Sequence, residues 1–237
     1  MLEQARPAPP IDQNLLLRTL PAGFRDGVAM EADLLHGKAF DLLQKEGEPY
    51  EYVDFALDSI ISVLTLTGNA EIEGLTVGNE GFVGLPVLLG GHAMPMRVIV
   101  QVPGEYLRLP VTTFRRLLEA CPDALPRMYR YAQYVLTQAM QTAGCNRAHK
   151  VEARCARWLC MTHDRVSRDQ FILKQEILAQ MLGVRRASVS EVASDLQRQG
   201  LIRYSRGKVT IVDRAGLERL ACPCYCAVRR ELERLLG

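Results

Sequence analysis

Lys174 to Arg203 reads KQEILAQMLGVRRASVSEVASDLQRQGLIR, and this stretch makes the rest of the chain readable. Ile177, Leu178, Met181 and Leu182 recur at the spacing of a helix lying on a core. Gly183 follows, where the end of a helix tolerates a left-handed backbone. Val184 opens a second short helix with Val189, Val192 and Leu196 facing inward and Arg185, Arg186, Ser188, Ser190 and Glu191 facing out. Two short helices around a glycine turn form a helix-turn-helix, whose second member enters a DNA major groove. Gly200 stops the following helix. LIRYSRGKVTIVD, residues 201–213, then alternates as a hairpin that turns at Ser205-Arg206-Gly207, the wing of a winged helix.

The charge distribution falls where this motif falls. The 237 residues carry a net +2, enough chain for two modest domains or one large one. Residues 149–237 hold 17 Lys+Arg against 10 Asp+Glu, whereas residues 1–148 hold 12 against 17. A basic C-terminal part beside an acidic N-terminal part is the footprint of a nucleic-acid module attached to something else. No apolar run reaches the roughly 18 residues of a membrane span, and the proline-rich start lacks the apolar stretch of a signal peptide. A cytoplasmic location and no membrane partner are therefore expected.

Taken in order, residues 1–11 read as disordered. Asn14 to Leu20 is a short apolar helix ended by Pro21. From Phe24 to about Leu109 short apolar or alternating runs (YEYVDFAL, SIISVLTL, AEIEGLTV, MRVIVQV, YLRL) are broken by glycines, which predicts a β-barrel or sandwich. Asp123 is placed to cap the next helix, with Pro126 in its first turn. In that helix Leu125, Met128, Ala132, Val135, Ala139, Thr142, Asn146 and His149 fall at alternating steps of three and four, an a/d seam. The simpler alternative is one amphipathic helix on the β domain. Gly144-Cys145-Asn146 weakens helix propensity and predicts a hinge before Val151. A last helix starts after Asp213, and Val228 to Leu236 is another amphipathic piece. Of seven cysteines, Cys155 and Cys160 read as buried small hydrophobes. Cys222, Cys224 and Cys226 form a cluster whose spacing is not that of a zinc ribbon; it is a candidate redox or metal site beside a structural alternative, and no metal is assigned.

The helix-turn-helix stretch, with Gln175-Glu176 opening its first helix and Gly183 to Ser190 forming the turn and recognition helix, resembles the DNA-binding domain of bacterial Crp/Fnr regulators. The resemblance extends over nearly the whole chain. It implies an α+β fold: a jelly-roll-like β-roll sensor domain over 12–120, a dimerisation helix over 121–148 and a winged helix-turn-helix over 149–237. It implies a homodimer formed through Leu125, Met128, Ala132, Val135, Ala139 and Thr142, and RNA polymerase as a further partner. Val77 to Pro86 resembles the segment leading into the family's phosphate-binding cassette, but there the chain departs from nucleotide-binding members. Leu85 follows Gly84 and Met96 follows Pro95, where those members carry the glutamate and the phosphate-pairing arginine. An apolar pair cannot hold a buried phosphate, and Arg97, one residue off, falls on the other face of a strand. No cysteine precedes Cys121, which leaves Fnr-type iron–sulfur sensing unsupported, and His36 and His92 are a weak basis for haem. No cofactor is called for.

The reading is a sequence-specific, homodimeric transcription regulator of double-stranded DNA with a palindromic operator, not controlled by cyclic AMP. Arg185 and Arg186 are the candidates for bidentate contact with guanine. By the resemblance Arg186 takes the base-reading position, while Glu191 stands where many relatives have a second arginine. Ser188 and Ser190 are candidates for bases or phosphate, and Lys174, Gln175, Arg206 and Lys208 for backbone positioning. The alternative is a switch in which the cysteines, or an apolar pocket lined by Leu85, Val87, Leu88 and Met96, control DNA binding. An enzyme is not expected, because four scattered histidines accompany no nucleophile elbow or paired carboxylates.

Overall fold

The computed structural model describes residues 9–68, 70–166 and 168–237. The disorder expected for residues 1–11 falls mainly outside them, although Ile11–Gln13 forms a 3-10 turn. Helix α1 (Leu15–Thr19) is capped by Asn14, whose Oδ1 accepts from Leu17 N at 3.0 Å. The Asn14 amide also donates to the carbonyls of Ala56 and Gly81, both at 2.8 Å, so one buried side chain ties the entry helix to the β domain. Helix α2 (Ala22–Glu31) follows where the sequence reading already placed strands. Gly23 and Gly27 lower helix propensity. The fold uses Gly27 for close approach, since a Cβ there would overlap Leu117.

The β domain contains β1 (Asp33–Gly37), β2 (Leu42–Gln44), β3 (Tyr52–Ala56), β4 (Ile60–Thr67), β5 (Ala70–Val77) and β6 (Phe82–Val83). After the single turn α3 (Leu85–Leu88), β7 (Met96–Val102) and β8 (Gly104–Pro110) complete it. Two four-stranded antiparallel sheets result, in the orders β1-β8-β3-β6 and β2-β7-β4-β5. Ile60 to Leu64 is buried without interruption. A strand covered on one face alternates, so this unbroken run means that both faces of β4 are covered.

Helix α4 (Val111–Ala120) leads through a 3-10 turn, Pro122–Ala124, into α5 (Leu125–Ala148). The α5 N-cap is Ala124 and makes no side-chain cap; Asp123 sits in the turn before it, so the expected Asp123 cap is corrected, while Pro126 does lie in the first turn. Helix α5 clamps the β domain. Tyr131 donates to Phe82 O at 2.8 Å and accepts from Phe82 N at 3.1 Å, and Gln138 donates to Thr76 O at 2.9 Å. Gly81 is required at this crossing because a Cβ would overlap the Tyr131 ring. The helix runs unbroken through Gly144-Cys145-Asn146, so the hinge expected there is corrected to the joint between Ala148 and Val151.

The C-terminal half comprises α6 (Val151–Val166), β9 (Gln170–Ile172), α7 (Gln175–Leu182), α8 (Arg186–Arg198), β10 (Ile202–Ser205), β11 (Lys208–Ile211), α9 (Arg214–Leu220) and α10 (Cys224–Leu236). Cys155 and Cys160 are buried in the main core, as their apolar surroundings implied. The other face of β4 is covered from this half: Ser62 Oγ lies 3.7 Å from Met181 Sδ, and Trp158 Nε1 donates to Glu73 Oε1 at 3.2 Å. Glu80 and Arg165 form a bidentate buried pair, 2.7 and 2.9 Å, and Arg165 also donates to Tyr134 Oη at 3.2 Å. The molecule is thus an α+β chain of β-roll, long helix and winged helix-turn-helix.

Candidate nucleic-acid interface

Helix α7 buries Ile177, Leu178, Met181 and Leu182, the face read from the sequence, together with Ala179. Gly183 ends it with φ +60°, and Val184 N donates back to Ala179 O at 3.0 Å. Two residues, Val184 and Arg185, span the turn before α8, so the second helix begins at Arg186 and not at Val184. It continues to Arg198, and Gly200 (φ +72°) ends this same helix. Val189, Ala193 and Leu196 anchor α8, the buried Val189 and Leu196 side chains each contributing about 1.5–3 kcal/mol, while Val192 is half-buried. The wing turns at Arg206 (φ +50°) and Gly207 (φ +73°), both left-handed, with Ser205 opposite Lys208. This two-residue I′ geometry suits the twist of a hairpin. Strand β9, which the sequence reading missed, adds a third strand beside β11.

Between α8 and the wing lies an open polar groove of about 520 Å³. Five predicted residues line it: Lys174, Gln175, Arg186, Ser190 and Arg206. Arg186 is 66% exposed and lies 3.1 Å from Glu176. An exposed pair of this kind contributes about 0–1 kcal/mol and leaves the guanidinium free to exchange partners. Ser190 Oγ donates to Gln175 Oε1 at 2.8 Å, which joins the two helices across the groove. Lys174 Nζ stands 5.4 Å from the centre of the Phe40 ring of the β-roll, so its charge also bridges the two halves. Arg185 is the exposed N-cap of α8, Ser188 is half-buried on its first turn, and Lys208 is exposed on the wing; these three lie outside the groove. Glu191 belongs to a separate shallow face with Asp195 and Arg198.

Sequence reasoning missed Ser194, Gln197, Tyr204 and Ser205, which also line the groove. Ser194 and Gln197 continue the Arg186–Ser190 face at helical spacing, a signal that becomes readable once α8 is seen to run to Arg198. Gln197 Oε1 accepts from Tyr204 N at 2.8 Å and fixes the wing to the helix.

Helix α5 distributes its apolar residues differently from the predicted seam. Met128 (0% exposed) and Val135 (7%) lie in the chain's own core, so they are not outward seam positions. Leu125, Ala132, Ala139 and Thr142 are half-buried. Tyr129, Leu136 and Met140 are the exposed apolar side chains, at 53%, 61% and 67%. Leu136 also borders an apolar cavity of about 590 Å³, lined by Leu75, Leu85, Met94, Met96 and Ala132 among others. Leu85 and Met96 line it as expected, whereas Val87 and Leu88 do not and are buried in the main core. Among the described residues, no charged side chain lines the cavity. Arg97 is paired with Glu46 at 3.0 Å and with Glu71. Among the cysteines of the C-terminal cluster Cys222 and Cys224 are buried and Cys226 is exposed.

Residues 153–220 match the family model of the Crp-like helix-turn-helix domain. Among curated proteins, none matches the chain. Its fold is similar to FixK2 from Bradyrhizobium japonicum, at 14% identity and a TM-score of 0.68 over 81% of this chain and 98% of that one. It is also similar to TTHB099, a CRP-family transcriptional regulator from Thermus thermophilus, at 22% identity and a TM-score of 0.65 over 79% and 96%. A third similar structure is the c-di-GMP responsive regulator CLP from Xanthomonas campestris, at 15% identity and a TM-score of 0.63 over 81% and 99%. No described helix is long and apolar enough to cross a membrane. Residues 153–220 are thus a Crp-like helix-turn-helix domain, a DNA-binding module, and the chain as a whole shares the fold of these Crp-family structures.

Proposed function

We propose that the chain acts as a homodimer that reads an inverted-repeat operator without cyclic AMP. The observation that carries the DNA-reading part is the exposed first turn of α8: Arg186 opens a groove that the wing closes on its far side. Arginine in this position suits bidentate contact with guanine O6 and N7. Lys174, Gln175 and Arg206 at the groove's rim suit phosphate contacts, which position the helix without reading bases. Two copies related by a twofold axis would place two such helices about one DNA turn apart. The exposed stripe of Tyr129, Leu136 and Met140 supports the dimer. Independence from cyclic AMP is supported by the uncharged cavity and by the two glutamates that already hold Arg97.

Selection of duplexes from a random pool tests the reading residue. Wild type should enrich a half-site that Arg186→Ala binds about 1–3 kcal/mol more weakly, with relaxed preference at one base pair. Unchanged affinity and preference would mean that another surface reads the DNA.

A second reading has its own support in the cavity. Its wall includes Ala132, Leu136 and Ala139 of α5, so an apolar occupant would press on the helix that we assign to dimerisation. Native mass spectrometry tests this: an apolar molecule retained at one per chain supports effector control, and uptake of none from a lipid and metabolite extract contradicts it.

A further inference from the structure

The joint between α5 and the DNA-binding half holds a cluster that DNA reading does not use. Cys145 lies in the last turn of α5, and His149 is the cap residue just after it, whose N–H donates to Cys145 O at 3.1 Å. Cys222 and Cys224 flank Pro223 at the entry to α10. The four ligand atoms all lie within 4.8 Å of one another. Cys145 Sγ is 3.4 Å from Cys222 Sγ, and Cys224 Sγ is 3.7 Å from His149 Nδ1. Zinc binds sulfur at about 2.3 Å and nitrogen at about 2.0–2.1 Å, which puts tetrahedral ligands about 3.5–3.8 Å apart. The cluster is therefore nearly at the size of one ion. A multi-iron cluster would need its thiolates spread more widely.

Three further observations point the same way. Cys145, Cys222 and Cys224 are 0%, 4% and 3% exposed, yet they form a cluster apart from the main core, with Ala153 packed against it. Cys155 and Cys160 are equally buried yet join the main core, so burial alone does not explain the other three. Arg154 and Arg157 are each 7% exposed, and neither pairs with a carboxylate among the described residues. The Nε of each lacks a hydrogen-bond partner. Three thiolates and a neutral imidazole around Zn²⁺ carry one net negative charge, which buried cations beside the cluster would balance. Gln141 Nε2 donates to Cys224 Sγ at 3.0 Å, the kind of outer hydrogen bond that orients a metal-bound thiolate.

We propose that Cys145, His149, Cys222 and Cys224 bind one Zn²⁺ ion as a closed, structural site. Binding releases the three thiol protons to solvent, so affinity falls as pH drops. Four protein ligands leave no open position for a substrate. Because two ligands come from the end of α5 and two from the start of α10, the ion pins the C-terminal helix to the connecting helix, beside the joint at Ala148–Val151. Cys226, exposed on the first turn of α10, takes no part. This site stands independently of how the DNA is read.

Full-length protein, purified under reductant and without chelator, should carry close to one zinc per chain. Cys222→Ser and Cys224→Ser should lose it, whereas Cys155→Ser and Cys226→Ser should keep it. Circular dichroism of each variant separates metal loss from unfolding. His149→Cys should retain the ion, and His149→Ala should weaken it by more than the tenfold or so lost with an outer-shell partner. Cobalt in place of zinc should give the intense visible bands of a tetrahedral thiolate site. A reduced, folded wild type that neither retains nor takes up zinc would overturn the proposal. So would iron with acid-labile sulfide at these residues, or metal loading unchanged in Cys222→Ser.

Discussion

Glu73 shows how a single residue links the two halves and carries a pH dependence. Its carboxylate accepts from Ser62 at 2.7 Å and Gln101 at 3.0 Å in the β-roll, and from Trp158 of α6 at 3.2 Å. Burial raises its pKa above the ordinary carboxylate range, and these hydrogen bonds only partly oppose the rise. Between the unfolded pKa, about 4.3, and the raised folded value, the native state holds more protons than the unfolded one. Stability from this group therefore falls as pH rises through that window. Glu73→Gln should remove the fall: urea midpoints of the two proteins should diverge in favour of the variant as pH climbs from about 4, near the unfolded carboxylate pKa. Parallel midpoints across that range would mean that Glu73 ionises as freely as in the unfolded chain. Nothing in the sequence marked this residue, because AEIEGLTV reads only as an alternating strand.

At the scale of elements, α5 has two apolar faces, and the sequence pattern alone could not say which one is inward. Spacing predicts a helix and a heptad, and both Met128 and Val135 fit that heptad. They fit equally well the face that packs on the β-roll, where Tyr131 and Tyr134 join them. The outward stripe is offset by about one residue: Tyr129, Leu136 and Met140. Leu136→Glu should thus leave the fold intact and give a monomer in sedimentation velocity. Met128→Glu should unfold the chain instead, because it buries an unpaired charge. A dimeric Leu136→Glu would show that α5 is not the interface. The helix-turn-helix was legible because each local signal in it, glycine turn, apolar spacing and hairpin, agrees with the others. Helix α2 was hidden by Gly23 and Gly27, whose role lies in a contact with α4, far along the chain. The cluster at Cys222 was half legible for the same reason: Cys145 and His149 come from a distant stretch, and His149 reads equally well as part of the seam.

The whole molecule joins an acidic sensor-like half to a basic reading half through buried polar contacts. Glu80–Arg165 and Glu73–Trp158 cross that boundary, and Lys174 on Phe40 crosses it at the groove. Helix α8 is held on the β-roll through α7, while its outer face stays open. The function proposed above needs a dimer whose two α8 helices read one duplex with no added nucleotide. Sedimentation equilibrium of the protein with a selected inverted-repeat duplex tests that most directly. Two chains per duplex are expected, with affinity that collapses when half-site spacing departs from about one helical turn. One chain per duplex, or binding that appears only after cyclic AMP is added, would contradict it.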